Sequence, residues 1–210
     1  AYVRSINPDA YIVGEIWKAK PEWLDGRTFD ALMNYPFAEI ALEWIGNREH
    51  KISASEAARR FAEHRETYPS EVTYALQNLV DSHDTDRLVS KLHNPDRAYD
   101  SGNREQEDQT YDGSKPPARA YQQARLVALL QMTSPGAPMI YYGDEVGLWG
   151  SDDPNNRKPM LWKDLEPYEE SGMAVMDDHL AFYQSAVALR NQYTALRCLL
   201  YTSDAADEVS

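Results

Sequence analysis

The stretch AYIVGEIW, Ala10–Trp17, decides how the rest of the chain is read. Apolar residues run into Gly14, and a lone carboxylate, Glu15, follows before Ile16 and Trp17. Asn7-Pro8-Asp9 supply a turn signal in front of it. A short unbroken apolar run bounded by turn residues has the pattern of a strand buried on both faces, the kind that parallel sheets use. The strand is expected over Ala10–Val13. Glu15 at its end would stand in a partly apolar setting, where desolvation disfavours the charged form and raises a carboxyl pKa, as a general acid requires. From this stretch alone the plainer reading, a solvated glutamate at a loop mouth, is the favoured one.

Further along, the same grammar repeats. Ala1–Ile6 reads as the tail of a helix, and Phe29–Met33 (FDALM) as a second strand that ends at Asn34-Tyr35-Pro36-Phe37. A helix follows from about Phe37 to Trp44. Ser53-Ala54-Ser55-Glu56 has capping-box spacing and opens another, with Ala57, Ala58, Phe61 and Ala62 on one face and Pro69 ending it. Tyr74–Val80 is expected as a third strand, running into Asp81-Ser82-His83-Asp84-Thr85-Asp86-Arg87. His93–Pro117 is long, polar and aperiodic, the character of a functional or mobile loop. Pro117–Met132 is an amphipathic helix through Tyr121, Ala124, Leu126, Val127, Leu129 and Leu130. Pro138–Tyr142 is the fourth strand, followed by a loop over Gly147–Pro159. A last helix runs from Asp178, read as its N-cap, to Gln192, burying Leu180, Phe182, Tyr183, Val187 and Leu189. Strands alternating with helices, each strand ending in polar residues, define an α/β chain whose sites lie at the carboxyl ends of a parallel sheet.

Composition narrows the partners. The 210 residues carry a net charge of −13, with no basic cluster able to neutralise phosphates, which argues against nucleic acid. No apolar run approaches membrane-spanning length. Fourteen tyrosines and five tryptophans supply flat apolar faces with polar handles, suited to sugars and to protein interfaces alike. The final stretch CLLYTSDAADE, Cys198–Glu208, resembles the in-frame translation of a transposon-type sequencing adapter. With Val209 and Ser210 it is set aside as a non-native scar, residues 198–210. That removes the only cysteine and takes the charge to −10.

Three polar clusters terminate three of the expected strands: Glu15, the pair His83 and Asp84, and Asp153 with Arg157 beyond the fourth. Two carboxylates flanking a bond, one protonated and one charged, is the pattern of glycoside hydrolysis. Arg157 with Asp153 offers a paired donor and acceptor for adjacent hydroxyls. Each also has a plainer reading: a turn histidine, an Asx-turn or cap for Asp84, a surface ion pair for Asp153 and Arg157. On spacing alone those plainer readings lead.

Four stretches change the odds: INPDAYIVGEIW, FDALMNYPF, NLVDSHDTDRL and GAPMIYYGDEVGLWGSDDPNNRKPMLW. In this order they resemble the C-terminal half of the catalytic barrel of the α-amylase family of glycoside hydrolases, and within it the cyclomaltodextrinase, neopullulanase and maltogenic amylase group. The resemblance implies residues 1–197 of a (β/α)8 TIM barrel, about strands five to eight, truncated. It implies that Glu15 is the general acid/base, Asp84 the stabiliser of an oxocarbenium-like transition state, and His83 a sugar ligand at the cleavage site. Trp17 matches an aromatic that stacks on the sugar beyond the scissile bond, and Asp153 and Arg157 a pair holding a sugar toward the non-reducing end. Asn34, Tyr35 and Pro36 are expected in the wall of the site. The substrate class implied is an α-1,4-glucan, a maltodextrin or a cyclomaltodextrin. No cofactor and no metal ligand set is assigned here, although the resemblance leaves calcium open for a full-length parent and weakly nominates the Asp100–Asp112 loop. A homodimeric parent and a cytoplasmic location are the subgroup's expectations.

Two departures matter. Ser82 stands where the family usually has asparagine. More seriously, the motif carrying the nucleophile of a retaining mechanism is absent, and Asp25 and Asp144 lie in the wrong context to replace it. The chain by itself is therefore expected to be inactive. A non-catalytic glucan-binding or partner subunit, and an α-glucan transglycosylase sharing every residue named, stand as alternatives. Four parallel strands of a closed barrel would also leave two unpaired edges. Expressed alone, the 210-residue chain should self-associate; a clean monomer with a cooperative thermal transition would count against the truncation reading.

Overall fold

The computed structural model describes residues 2–197, and the adapter-like reading of 198–210 falls outside the described residues. After a short helix α1 (Tyr2–Ile6) the chain makes strands β1 (Val13–Gly14) and β2 (Ala31–Leu32), then helices α2 (Tyr35–Ile45), α3 (Ala54–Glu66) and α4 (Ser70–Ala75). Strand β3 (Gln77–Asn78) leads to α5 (Leu88–His93), and α6 (Ala118–Thr133) leads to β4 (Ala137–Pro138) and finally α7 (Asp177–Gln192). The strands pair in parallel, β1 with β2 and β3 with β4, and a parallel bridge from Met33 to Gln77 joins the two pairs in sequential order. This is the expected βα architecture with much shorter ladders.

The expected strands over 10–13, 29–33, 74–80 and 138–142 become two-residue strands at 13–14, 31–32, 77–78 and 137–138, the first and last overlapping the expected range by one residue each. Tyr11 is about half exposed and donates its hydroxyl to Ala75 O (2.5 Å), so the first strand is not buried on both faces. Tyr74 and Ala75 belong to α4, because Pro69 starts that short helix instead of merely ending α3. In the fourth strand Pro138 has no N–H to give; its neighbours Ala137 and Met139 donate to Leu76 O and Asn78 O instead. Side chains do much of the remaining stitching. Gln131 of α6 donates to Asn78 O and Met139 O, and Arg190 of α7 donates to Met132 O, Ser134 O and Gly136 O at the end of α6.

Helix α3 starts as expected, with Ser53 Oγ accepting the Glu56 N–H at 3.1 Å, but only Ala57 of its proposed face is buried and Ala58 is exposed. Helix α2 begins two residues before the expected Phe37, with Pro36 in its first turn, where a missing N–H costs nothing. Helix α7 begins at Asp177, not with Asp178 as cap, and buries His179, Tyr183, Ala186 and Arg190. Val187 and Leu189, expected inside, are exposed, as are Leu126 and Leu129 of α6. The i, i+4, i+7, i+11 stripe that packs inward is mixed in polarity, which hides it from an apolar count.

The main core joins Phe37 and Ala41 of α2, Val80, Leu88, Val89 and Leu92 around α5, Tyr121, Ala124 and Val127 of α6, and Trp149. A second cluster gathers Leu24, Leu32, Tyr68 and Leu76 behind β2. Between them runs a polar row: His64 Nε2 meets Asn34 Oδ1 (2.6 Å), Asn34 donates to Asn78 Oδ1 (2.7 Å), and Asn78 donates to Pro135 O (2.7 Å). Burial, helped by the Arg65 charge, lowers the His64 pKa to about 4 from 6.5. The unfolded chain therefore takes up a proton that the folded one refuses, and stability falls as pH drops from 6.5 toward 4. Urea-unfolding free energies measured across that window should show a slope reduced by about one proton in His64→Gln; an unchanged slope would contradict this account.

Candidate active site

Glu15 follows Gly14 directly, and the glycine is required: a Cβ there would come 2.8 Å from the Phe29 ring. The close approach of β1 to Phe29 leaves Glu15 at the strand's carboxyl end, where its side chain is exposed. The apolar setting expected for it is therefore not formed. What holds it is a hydrogen bond: the buried Tyr35 at the start of α2 donates its hydroxyl to Glu15 Oε1 at 2.9 Å. Tyr35 has one O–H, so the 3.2 Å contact between its oxygen and Ser82 Oγ is donated by the serine. Ser82 Oγ in turn accepts the Asp84 N–H at 3.2 Å. Burial, with the Glu15 and Asp84 charges adding, pushes the Tyr35 hydroxyl well above its ordinary pKa, which keeps it a donor.

Asp84 is held from two sides. His83 Nε2 lies 3.3 Å from Asp84 Oδ2, and Arg157 Nη2 donates to Asp84 Oδ1 at 3.1 Å. Arg157 Nε also donates to His83 O (3.0 Å) and lies 3.2 Å from Asp153 Oδ1. Arg157 and Asp153 thus form the expected pair, but part of the guanidinium is spent on Asp84 and its loop. Underneath, the fully buried Asn156 reaches the carbonyls of Ser82, His83 and Thr85 at 3.3, 2.8 and 2.7 Å. The result is convergence: one polar atom each from Glu15, His83 and Asp84 lies within 4.8 Å of the others. Exposed acidic groups often gather in this way, and no metal is assigned to the three.

Trp17 stacks face to face on Tyr35, with centroids 3.9 Å apart and an interplanar angle of 9°. Tyr99 meets both rings edge-on at 6.2 and 6.0 Å. One face of Trp17 is consequently covered from within, and only the other can meet a ligand. Asn34 lies below this wall in the polar row already described. A cavity of about 320 Å³ lies behind the aromatic group, between α2, α5 and the 94–103 loop, and includes none of Glu15, His83 and Asp84. The convergent residues stand on an open face instead. Asp108 and Asp112, in the loop weakly nominated for calcium, are engaged by Arg97 and Thr110 and by His93 and Ser114.

Sequence reasoning missed Tyr99 and Asn156. Tyr99 sits in an aperiodic loop that gives no spacing signal. Asn156 lies inside the quoted DPNNR run, where its neighbour Arg157 drew the attention.

The parallel βα order with acidic side chains at the strand ends defines an α/β chain whose polar site lies at the carboxyl ends of its strands. A profile of the alpha amylase catalytic domain matches residues 1–198, and the chain belongs to that family. It is 36% identical over 195 residues to the cyclomaltodextrinase of Geobacillus thermopakistaniensis (strain MAS1), covering 93% of this chain and 27% of that protein. It is 34% identical over 194 residues to neopullulanase 2 of Thermoactinomyces vulgaris, covering 92% and 27%. Among solved structures, the type III pullulan hydrolase from Thermococcus kodakarensis superposes with a TM-score of 0.73 at 31% identity, covering 93% of this chain and 30% of that one. The chain thus spans less than a third of the length of these relatives.

Asn156→Ala should cost about 1–3 kcal/mol, since it removes the side-chain donor from the Thr85 carbonyl and one of two donors from each of Ser82 O and His83 O. Denaturant titration gives the stability, and the His83 ring resonances should shift because its loop has lost its anchor; unmoved resonances would show that Asn156 does not set the loop.

Proposed function

We propose that the chain is the part of a retaining α-glucoside hydrolase that carries the acid/base and the transition-state stabiliser, contributing about strands five to eight of a (β/α)8 barrel and acting on α-1,4-glucans, maltodextrins or cyclomaltodextrins. The observation that carries this reading is the convergence of Glu15, His83 and Asp84 within 4.8 Å in a chain of the alpha amylase catalytic domain family. Cyclomaltodextrinase and neopullulanase as names of the relatives support the substrate class.

In this reading Tyr35 occupies Glu15 Oε1 as a donor, so the catalytic proton rides on Oε2. Glu15 gives that proton to the glycosidic oxygen as the bond breaks, then draws one from the incoming water. The nucleophile is a carboxylate supplied from sequence outside these 210 residues. Asp84, clamped by Arg157, sets negative charge beside the oxocarbenium-like centre, and its position is prepaid by hydrogen bonds made before substrate arrives. His83 is exposed next to it, with Nε2 3.3 Å from Asp84 Oδ2, and is the group that would bond a sugar hydroxyl there. The open face of Trp17 offers an apolar platform for a ring.

In the full-length parent, Glu15→Gln should lower kcat on a maltodextrin roughly 10²–10⁴-fold with little change in KM, and the wild-type product should keep the α configuration. A loss of only a few-fold, or an inverted product, would overturn the assignment.

A further inference from the structure

Asp81 stands three residues before Asp84, at the end of NLVD, and Asp144 opens the short 3₁₀ turn Asp144–Val146 beyond β4. Both are buried, 0% and 3% exposed, with their carboxyl groups in hydrogen-bond contact. Asp81 Oδ2 accepts the Leu88 N–H at 2.7 Å, and Asp144 Oδ1 accepts Arg87 Nη1 at 3.3 Å. The other oxygen of each, Asp81 Oδ1 and Asp144 Oδ2, is buried and makes no hydrogen bond among the described residues, and neither does Arg87 Nη2. One cation faces them. Arg87 is fully buried, gives Nε to Asn156 O (2.9 Å) and Nη1 to Tyr142 O, and lies 4.2 and 4.6 Å over the rings of Tyr141 and Tyr142.

Two ionised carboxylates against one guanidinium would leave an uncompensated buried charge. The unspent hydrogens of Arg87 Nη2 do not alter that count; one proton on the pair does. We infer that Asp144 is a carboxylic acid near neutral pH, donating its O–H from Oδ2 to Asp81 Oδ1, and that this acid–carboxylate pair with Arg87 positions the loop that carries His83 and Asp84. Asp144 touches no substrate atom; it is a positioning residue.

The surroundings agree. Burial pushes Asp144 well above the ordinary carboxylate range, the Asp81 charge adds to this, and Arg87 opposes it. The other groups facing the pair do not supply a second cation. Lys91 from α5 acts on Asp81 but is bonded to Asp86. Tyr99, Tyr141 and Tyr183 have pKa values raised by burial and remain neutral donors, and His179 of α7, lowered to about 4 by burial, is neutral as well. Glu145 adds only negative charge nearby. Asn156, whose carbonyl accepts from Arg87, uses its amide to hold Ser82, His83 and Thr85, so the charge balance of the pair is coupled to the Asp84 loop through two bonded residues. Removing the proton at alkaline pH would put like charges together in a dry site and displace that loop.

The importance given to Asp84 rests on the hydrolase reading above; the protonation does not. Infrared spectra of the 210-residue chain, isotope-labelled at the aspartate carboxyl carbons, should show a protonated-carboxyl stretch near neutral pH. Asp144→Asn, whose amide donates in place of the acid, should abolish that band; Asp81→Asn, the mirror variant, should abolish it too. The His83 ring resonances should move on alkaline titration of the wild type and stay fixed in Asp144→Asn, while Asp144→Ala displaces them already at neutral pH. A wild type without a protonated aspartate, a band that survives both asparagine variants, or an alkaline shift unchanged in Asp144→Asn would overturn the proposal. None of these readouts involves a glucan, so failure of the hydrolase reading leaves them intact and their failure leaves that reading intact.

Discussion

A guanidinium with no exposed surface can be paired only inside the protein, and Arg87 finds its acceptors on the loop that leaves β4, while its Nη2 has none among the described residues. Burying such a charge costs several kcal/mol unless the geometry repays it. The repayment here is Asp144, two carbonyls and two tyrosine rings, all on the 141–156 segment. Gly143 makes the approach feasible, since its φ of +92° suits glycine and a Cβ would come within 3.3 Å of Arg87 Nη1. The consequence is a seam. Arg87 belongs to the same run as His83 and Asp84, so wherever the 141–156 segment goes, the Asp84 loop goes with it.

The strands alone could not hold this arrangement, because each pairs over only two residues. Buried polar side chains take over the role of long ladders: Asn78, Gln131 and Arg190 bond to backbone carbonyls across elements, and Asn156 gathers three of them in the 82–85 turn. Such networks are stable when every member is satisfied and costly when one is lost. The open face of the site therefore rests on a floor held by side-chain hydrogen bonds to backbone carbonyls. Tyr35 completes the frame, bonding Glu15 and Ser82 through its hydroxyl while its ring supports Trp17.

Much of this was legible in the chain. The N-cap at Ser53 forms as its spacing predicts, although the Glu56 carboxylate bonds Arg59 and does not return to the Ser53 N–H; the polar residues at strand ends converge, and Arg157 pairs with Asp153. Other readings failed for identifiable reasons. Apolar runs such as Tyr74–Val80 were too long because a proline could start a helix as well as end one. The buried stripe of α7 contains His179 and Arg190, so an apolar count pointed to Val187 and Leu189, which are exposed. Tyr99 belongs to a loop with no periodicity and joins Trp17 only through the folded chain.

The sequence by itself determined the parallel βα order and the identity of the converging residues, because those depend on local pattern and on short runs whose chemistry is carried by neighbours in the chain. Tertiary structure alone decided how they are held: that Glu15 is exposed and steadied by Tyr35, that Arg157 grips Asp84, and that Asp81, Arg87 and Asp144 meet in one dry cluster. Those outcomes depend on distances between groups dozens of residues apart and on the exclusion of water around them, and neither quantity exists until the chain has folded.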